Sequence, residues 1–121
     1  IRTVIAALVL TLAPAIAHSQ SLVVAPHGVI LDARVRGGAV TLLNRSPRPV
    51  EVIVESQYGY IGNDPSGNAT VIIPDSVPSG APDATAFVEF SPKKFIIPAN
   101  RAQVVRFLAR PPANLPDGEY W

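Results

Sequence analysis

Few residues of this chain have the type and spacing to do chemistry. There are two His, at 18 and 27, and no Cys. The lack of Cys excludes thiol catalysis, a disulfide scaffold and a Cys-ligated metal centre. Asp64, Ser66 and Asn68 alternate as calcium-loop ligands do. The Gly and the distal Glu of an EF-hand loop are out of register, so a turn is expected there. Glu51 and Glu55 share one face of an expected strand. At about 3.3 Å per residue they stand about 13 Å apart, too wide for a glycosidase pair, which lies within about 10 Å. A solvated face that guards against aggregation is the expectation for both. No nucleophile–base motif or glycine-rich phosphate loop is present. The chain is therefore expected to be no enzyme, with no cofactor and no metal site.

The basic residues give a second set of candidates. Arg34, Arg36, Arg45, Arg48, Lys93 and Lys94 could form a patch. Net charge is only +1. No aromatic residues interleave with these positions to stack on bases, so no nucleic-acid partner is expected. Arg106 faces away from Val105 and Phe107 and reads as a solvated sheet residue. His27 has two readings, a contact for a partner's terminus or a solvent-facing His on an edge strand. A lone His makes no site without converging partners.

The elements that must position these residues fall into two unlike segments. Arg2 is followed by an apolar run from Thr3 to Ala13, then by Pro14-Ala15-Ile16-Ala17. A basic residue, a short apolar run and an A-x-A ending describe a secretory signal peptide over 1–17. The run is too short to cross a roughly 30 Å hydrocarbon core as a helix, so no stable membrane insertion is expected after cleavage. Without those residues, nine basic and nine acidic residues remain and the chain is neutral. With no Met at all, the first residue is expected to be a cut.

Residues 18–121 read as one all-β domain. Pro and Gly recur too often for a long helix. Residues 50–58 alternate with period two: Val50, Val52, Val54 and Tyr58 one way, Glu51, Ile53, Glu55 and Gln57 the other. Residues 38–44 are expected to be the hairpin partner of that strand. Residues 22–25 and 28–31 are predicted to form an N-terminal edge strand interrupted at Pro26, which cannot donate a ladder hydrogen bond. Further strands are predicted at 69–73, 86–90, 94–97 and 102–108, with a loop over 74–85. About seven short strands with frequent turns suggest an immunoglobulin-like antiparallel β-sandwich. Leu115-Pro116-Asp117-Gly118-Glu119-Tyr120 matches a tyrosine corner, in which the hydroxyl bonds to upstream backbone. It predicts a strand beginning near Glu119, and the sandwich is expected to be incomplete at its C-terminal side.

The order of these motifs resembles the N-terminal domain of PapD-like periplasmic chaperones. It is carried by residues 22–31, by Val40-Thr41-Leu42-Leu43-Asn44, by Phe90-Ser91-Pro92-Lys93-Lys94-Phe95-Ile96-Ile97-Pro98, by Gln103-Val104-Val105-Arg106-Phe107 and by the segment 115–120. The resemblance covers most of residues 21–121. It implies a periplasmic, non-enzymatic factor in pilus or fimbrial assembly. Its implied partners are a secreted fibre subunit and an outer-membrane usher. Such chaperones bind clients by β-augmentation, in which main-chain bonds give affinity and alternating apolar side chains fill the client's groove. By resemblance the client-binding edge holds His27, Val29 and Leu31. His27 stands where the family has an anchoring Arg, and a neutral His grips a carboxylate less well. The family's second anchor, a Lys on the last strand, is absent from this chain. Glu119 resembles a family Glu that makes an interdomain contact. The bacterial setting so implied gives the glycosylation patterns at Asn44 and Asn68 no weight. The alternative is a structural fibre subunit or an adhesive immunoglobulin-like module, since an incomplete sandwich also describes a subunit.

Overall fold

The computed structural model describes residues 21–121. The expected signal segment and His18 lie outside the described residues. Eight strands follow in order: β1 (Leu22–Ala25), β2 (Gly37–Asn44), β3 (Val50–Ile53), β4 (Tyr60–Asn63), β5 (Ala69–Ile72), β6 (Val88–Ser91), β7 (Lys94–Ile97) and β8 (Ala102–Ala109). No helix occurs among the described residues. One antiparallel sheet has the order β1-β2-β8-β6, a second pairs β3 with β7, and a third pairs β4 with β5.

Side-chain alternation explains why two of these sheets form layers. Val24, Val40, Leu42, Phe90, Val105 and Phe107 come from the four-stranded sheet. Val50, Val52, Val54, Phe95 and Ile97 come from β3, β7 and the residue after β3. Together they make one core. The molecule is thus an all-β sandwich with four strands facing two. Each fully buried Val, Leu or Ile contributes roughly 1.5–3 kcal/mol of transfer free energy. On the outer face of β3 and β7, Lys94 meets Glu51 at 2.8 Å. Both side chains are more than half exposed, so the pair contributes little.

Several strand expectations need correction. The segment 38–44 is no hairpin partner of 50–53. β2 pairs with β1 and β8, and β3 pairs with β7. The link between them holds Pro47 and Pro49, which lack donors, and it crosses from one sheet to the other. The strand expected over 50–58 ends at Ile53; beyond it Val54 is half-buried and Tyr58 buried, while Glu55, Ser56 and Gln57 are all exposed. Residues 28–31 form no strand. Nor do residues 119–121, although Trp121 accepts a bond from Ala84 N–H at 2.7 Å and donates to Pro82 O at 2.8 Å. The hairpin of β4 and β5 occupies a region whose first half reads as turn-rich in sequence.

The turn of that hairpin accounts for the alternating Asp64, Ser66 and Asn68. Asp64 Oδ1 accepts from Ser66 N–H at 2.9 Å and Asn68 N–H at 2.8 Å, and Oδ2 accepts from the Asn68 side chain at 3.0 Å. Gly67 takes the left-handed conformation at φ +86 that closes the turn. The Asn68 side-chain bond, then the Asn68 backbone bond, hold the Asp64 carboxyl below its usual 3.8. Asp32 is lowered likewise by the Val35 and then the Arg34 amide. A lowered folded value means stabilisation present above the unfolded value and lost as pH falls through the folded one. Protection of the Ser66, Asn68, Arg34 and Val35 amides, taken relative to an unstructured chain at the same pH, should therefore fall as pH drops below 3.8. Unchanged protection across that range, measured by NMR on the folded protein, would contradict this.

Tyr120 donates its hydroxyl to Pro116 O at 2.9 Å, the back-bond expected from the sequence. Its ring stands edge-on to Phe87 at 5.7 Å. Tyr120→Phe keeps the ring contact and removes one exposed hydrogen bond. It should lower stability by about 0.5–1.5 kcal/mol in a urea titration. A loss several times larger would mean that the hydroxyl does more than tie this corner.

Candidate functional site

The candidate edge begins at β1. It pairs with β2 from Leu22↔Asn44 to Ala25↔Thr41, and there the ladder stops. Pro26, which has no N–H to offer a ladder, follows at once. His27, Val29 and Leu31 therefore lie beyond the strand, in an open segment. His27 is exposed. Val29 and Leu31 come together over Gly38 of β2. A Cβ at Gly38 would meet Val29 Cγ1 at 2.5 Å and Leu31 Cδ2 at 3.4 Å. Gly38 has the parity of Val40 and Leu42, so these two side chains cover the core side of β2 where β1 has ended. Ile30 between them is 91% exposed.

This geometry makes Gly38 a sensor of the segment. Gly38→Ala places a methyl inside the space of Val29 and should displace residues 28–31. It should cost about 1–3 kcal/mol as overpacking does. Gly37→Ala, whose Cβ meets only Phe107 O at an ordinary 3.6 Å, should cost much less. Equal melting temperatures for the two variants would rule out the packing of Val29 on Gly38.

The opposite end of β2 holds a polar centre that sequence reasoning placed only at the end of an expected hairpin strand. Asn44 has the inward parity of Val40 and Leu42 and is 0% exposed. Its Nδ2 donates to Arg48 O at 2.7 Å, Ile97 O at 3.0 Å and Pro98 O at 3.2 Å. Its Oδ1 accepts from Ser46 N–H at 2.9 Å. The buried Ser46 hydroxyl lies 2.7 Å from Asn44 Oδ1 and 2.8 Å from Arg48 O, donating to one at a time. Asn44 N–H donates to Arg101 O at 2.9 Å. One side chain thus joins the end of β2, the link to β3 and the end of β7. The signal available in the sequence was a polar residue at core parity. With Nδ2 occupied inside the protein, the glycosylation pattern at Asn44 has no free acceptor.

The basic candidates do not form one patch. Arg45 and Arg48 lie at the Asn44 end, where Arg101 joins them through its carbonyl. Arg34 and Arg36 lie at the other end of β2, where Arg36 O accepts from Ala109 N–H. Lys94 pairs with Glu51, and Lys93 stands over the Phe90 ring at 5.3 Å. Arg106 is exposed on the outer face, beside Ala39 and Ser91 in register. Glu119 is exposed, and no ion pair involves it among the described residues. No cluster of three or more potential metal-ligating His, Cys, Asp or Glu side chains occurs among the described residues. No helix of the described residues is long and apolar enough to cross a membrane. No family model, curated protein or solved structure matches the chain.

Proposed function

We propose that the chain carries the N-terminal, immunoglobulin-like domain of an exported assembly chaperone of the PapD-like kind. In this reading it is non-enzymatic and works in the periplasm after loss of residues 1–17. It engages secreted fibre subunits by strand addition at the β1 edge. The observation that carries the reading is that edge. β1 is bonded to β2 on one side, and its ladder stops at Ala25, before the open segment with His27, Val29 and Leu31. An unpaired edge next to apolar side chains is the equipment that β-augmentation uses. The order of sequence motifs and the back-bond of Tyr120 to Pro116 support the same reading.

The test is co-purification of the full-length protein with a candidate fibre subunit. A variant with Val29→Ser and Leu31→Ser should lose capture; because both side chains also pack over Gly38, circular dichroism and a melting curve verify that the sheet is still folded. A folded wild-type protein that captures no fibre subunit argues against the proposal.

A second reading, a structural fibre subunit or adhesive module, draws on the unequal layers. Four strands face two, and an under-filled sheet accepts a strand from a neighbour. The coding sequence after Trp121 separates the two. An alternating apolar strand containing a Lys, then a second immunoglobulin-like domain, favours the chaperone. A stop codon close behind Trp121 favours the subunit.

A further inference from the structure

We propose that the Asn44 end of the sandwich is a binding surface for an acidic protein segment, gripped by Arg45, Arg48 and Arg101. All three arginines are exposed. Asn44 fixes the backbone of each. Arg45 follows it directly, Arg48 O accepts its Nδ2 and Arg101 O accepts its N–H. Ser21 O accepts from Arg45 N–H at 2.8 Å, so the neighbouring β1 terminus is tied in as well. Pro47 and Pro49 flank Arg48 and fix the φ angle on either side of it. Asn100, at φ 55, turns the chain just before Arg101. The three guanidinium groups therefore stand on a framework that loses little freedom when a partner binds.

Charge at this end is of one sign. The segments 21–22, 44–50 and 97–102 contain these three arginines and no Asp, Glu, Lys or His. The two ion pairs among the described residues involve Lys94 and Arg110, not these arginines. The chain after residue 17 is neutral, so the excess of acid lies elsewhere on the molecule. Arg matches a carboxylate through two parallel N–H bonds, which a point charge cannot do. A single-stranded nucleic acid is the poorer fit, because no aromatic residue occurs in these segments for bases to stack on, and a duplex is bound through a longer track of phosphate contacts than three arginines provide. A lipid surface is poorer too, because an interfacial site needs an apolar face beside its basic one. Here Leu22 is the one large apolar side chain of these segments that counts as exposed, at 37%. The three arginines lie off the strand-addition edge, whose start they adjoin, and the proposal stands whether or not that reading does.

The experiment is fluorescence anisotropy with the full chain and a labelled hexaglutamate peptide. Binding should be clear at about 20 mM NaCl and should weaken steeply by about 500 mM, as exposed charge pairs do. The variant R45Q/R48Q/R101Q should bind roughly tenfold more weakly and remain folded by circular dichroism. The control R34Q/R36Q, altered at the other end, should bind like the wild type. Equal loss in the control, or no loss in the triple variant, overturns the proposal. Tighter binding of a labelled DNA duplex, or of phosphatidylglycerol vesicles, overturns the choice of an acidic peptide.

Discussion

Asn44→Asp should be among the most damaging single substitutions in this domain, costing about 3–5 kcal/mol. The change is nearly isosteric, so packing is not the cause. The amide of Asn44 aims two N–H bonds at three carbonyl oxygens, those of Arg48, Ile97 and Pro98. A carboxylate there would set an unpaired negative charge against three partial negative charges, out of contact with water. Burial and these carbonyls would raise the folded pKa of the new acid above its unfolded value. A raised folded value means that the acid is better tolerated when protonated. The loss should thus deepen as pH climbs above about 4 and shrink in acid. Asn44→Ala, which orphans the same carbonyls without adding charge, should cost about 2–4 kcal/mol. Ser46→Ala should cost about 1 kcal/mol, since Arg48 O keeps its bond from Asn44. Urea titrations at pH 7 and pH 4 check the order Asp, Ala, Ser46→Ala. Equal stability of Asn44→Asp and wild type at pH 7 would mean that Asn44 is not buried against these carbonyls.

That centre also shows where sequence reading reaches its limit. Parity along a strand is local, so the inward Val50, Val52 and Val54 were legible, as were the outward Glu51 and Ile53. So were the all-β class and the back-bond of Tyr120. Pairing is not local. The link Asn44-Arg45-Ser46-Pro47-Arg48-Pro49 has the residues of a hairpin turn, and a hairpin was the natural expectation. The bonds from Asn44 to Ile97 O and Pro98 O reach more than fifty positions away in sequence. They hold the link as a crossing between sheets, and nothing within six residues announces them. The same limit hid Arg101 from the set Arg45 and Arg48. It also hid the contact of Val29 and Leu31 with Gly38. The apolar run Val29-Ile30-Leu31 made residues 28–31 look like a strand. The donor missing at Pro26 and the space above a glycine turn those side chains onto the core side of β2 instead.

Ile97→Ala and Ile96→Ala, made as a pair, test the layered arrangement itself. The two residues are adjacent in β7 and chemically identical, so composition and propensity cannot separate them. Their surroundings do: Ile97 is 1% exposed and Ile96 is 65% exposed. Ile97 lies opposite Val50 in register and shares the core with Leu42 and Val105. Its carbonyl also accepts from Asn44, so the backbone around a truncated side chain cannot relax freely into the space left. A site that cannot collapse retains its cavity, and the loss should reach about 3–4 kcal/mol, toward the upper part of the range for Ile→Ala. In a domain of this size that is a fall in melting temperature on the order of 15 °C. Ile96→Ala removes apolar surface already in water and should stay within about 0.5 kcal/mol. A slip of β7 by one residue against β3 would exchange the two roles, because the side-chain period is two. The difference between the variants, more than either value, therefore fixes the register. Equal losses, or a larger loss at Ile96, would place β7 differently. The Asn44 centre and the arginines it positions would then have to be rebuilt as well.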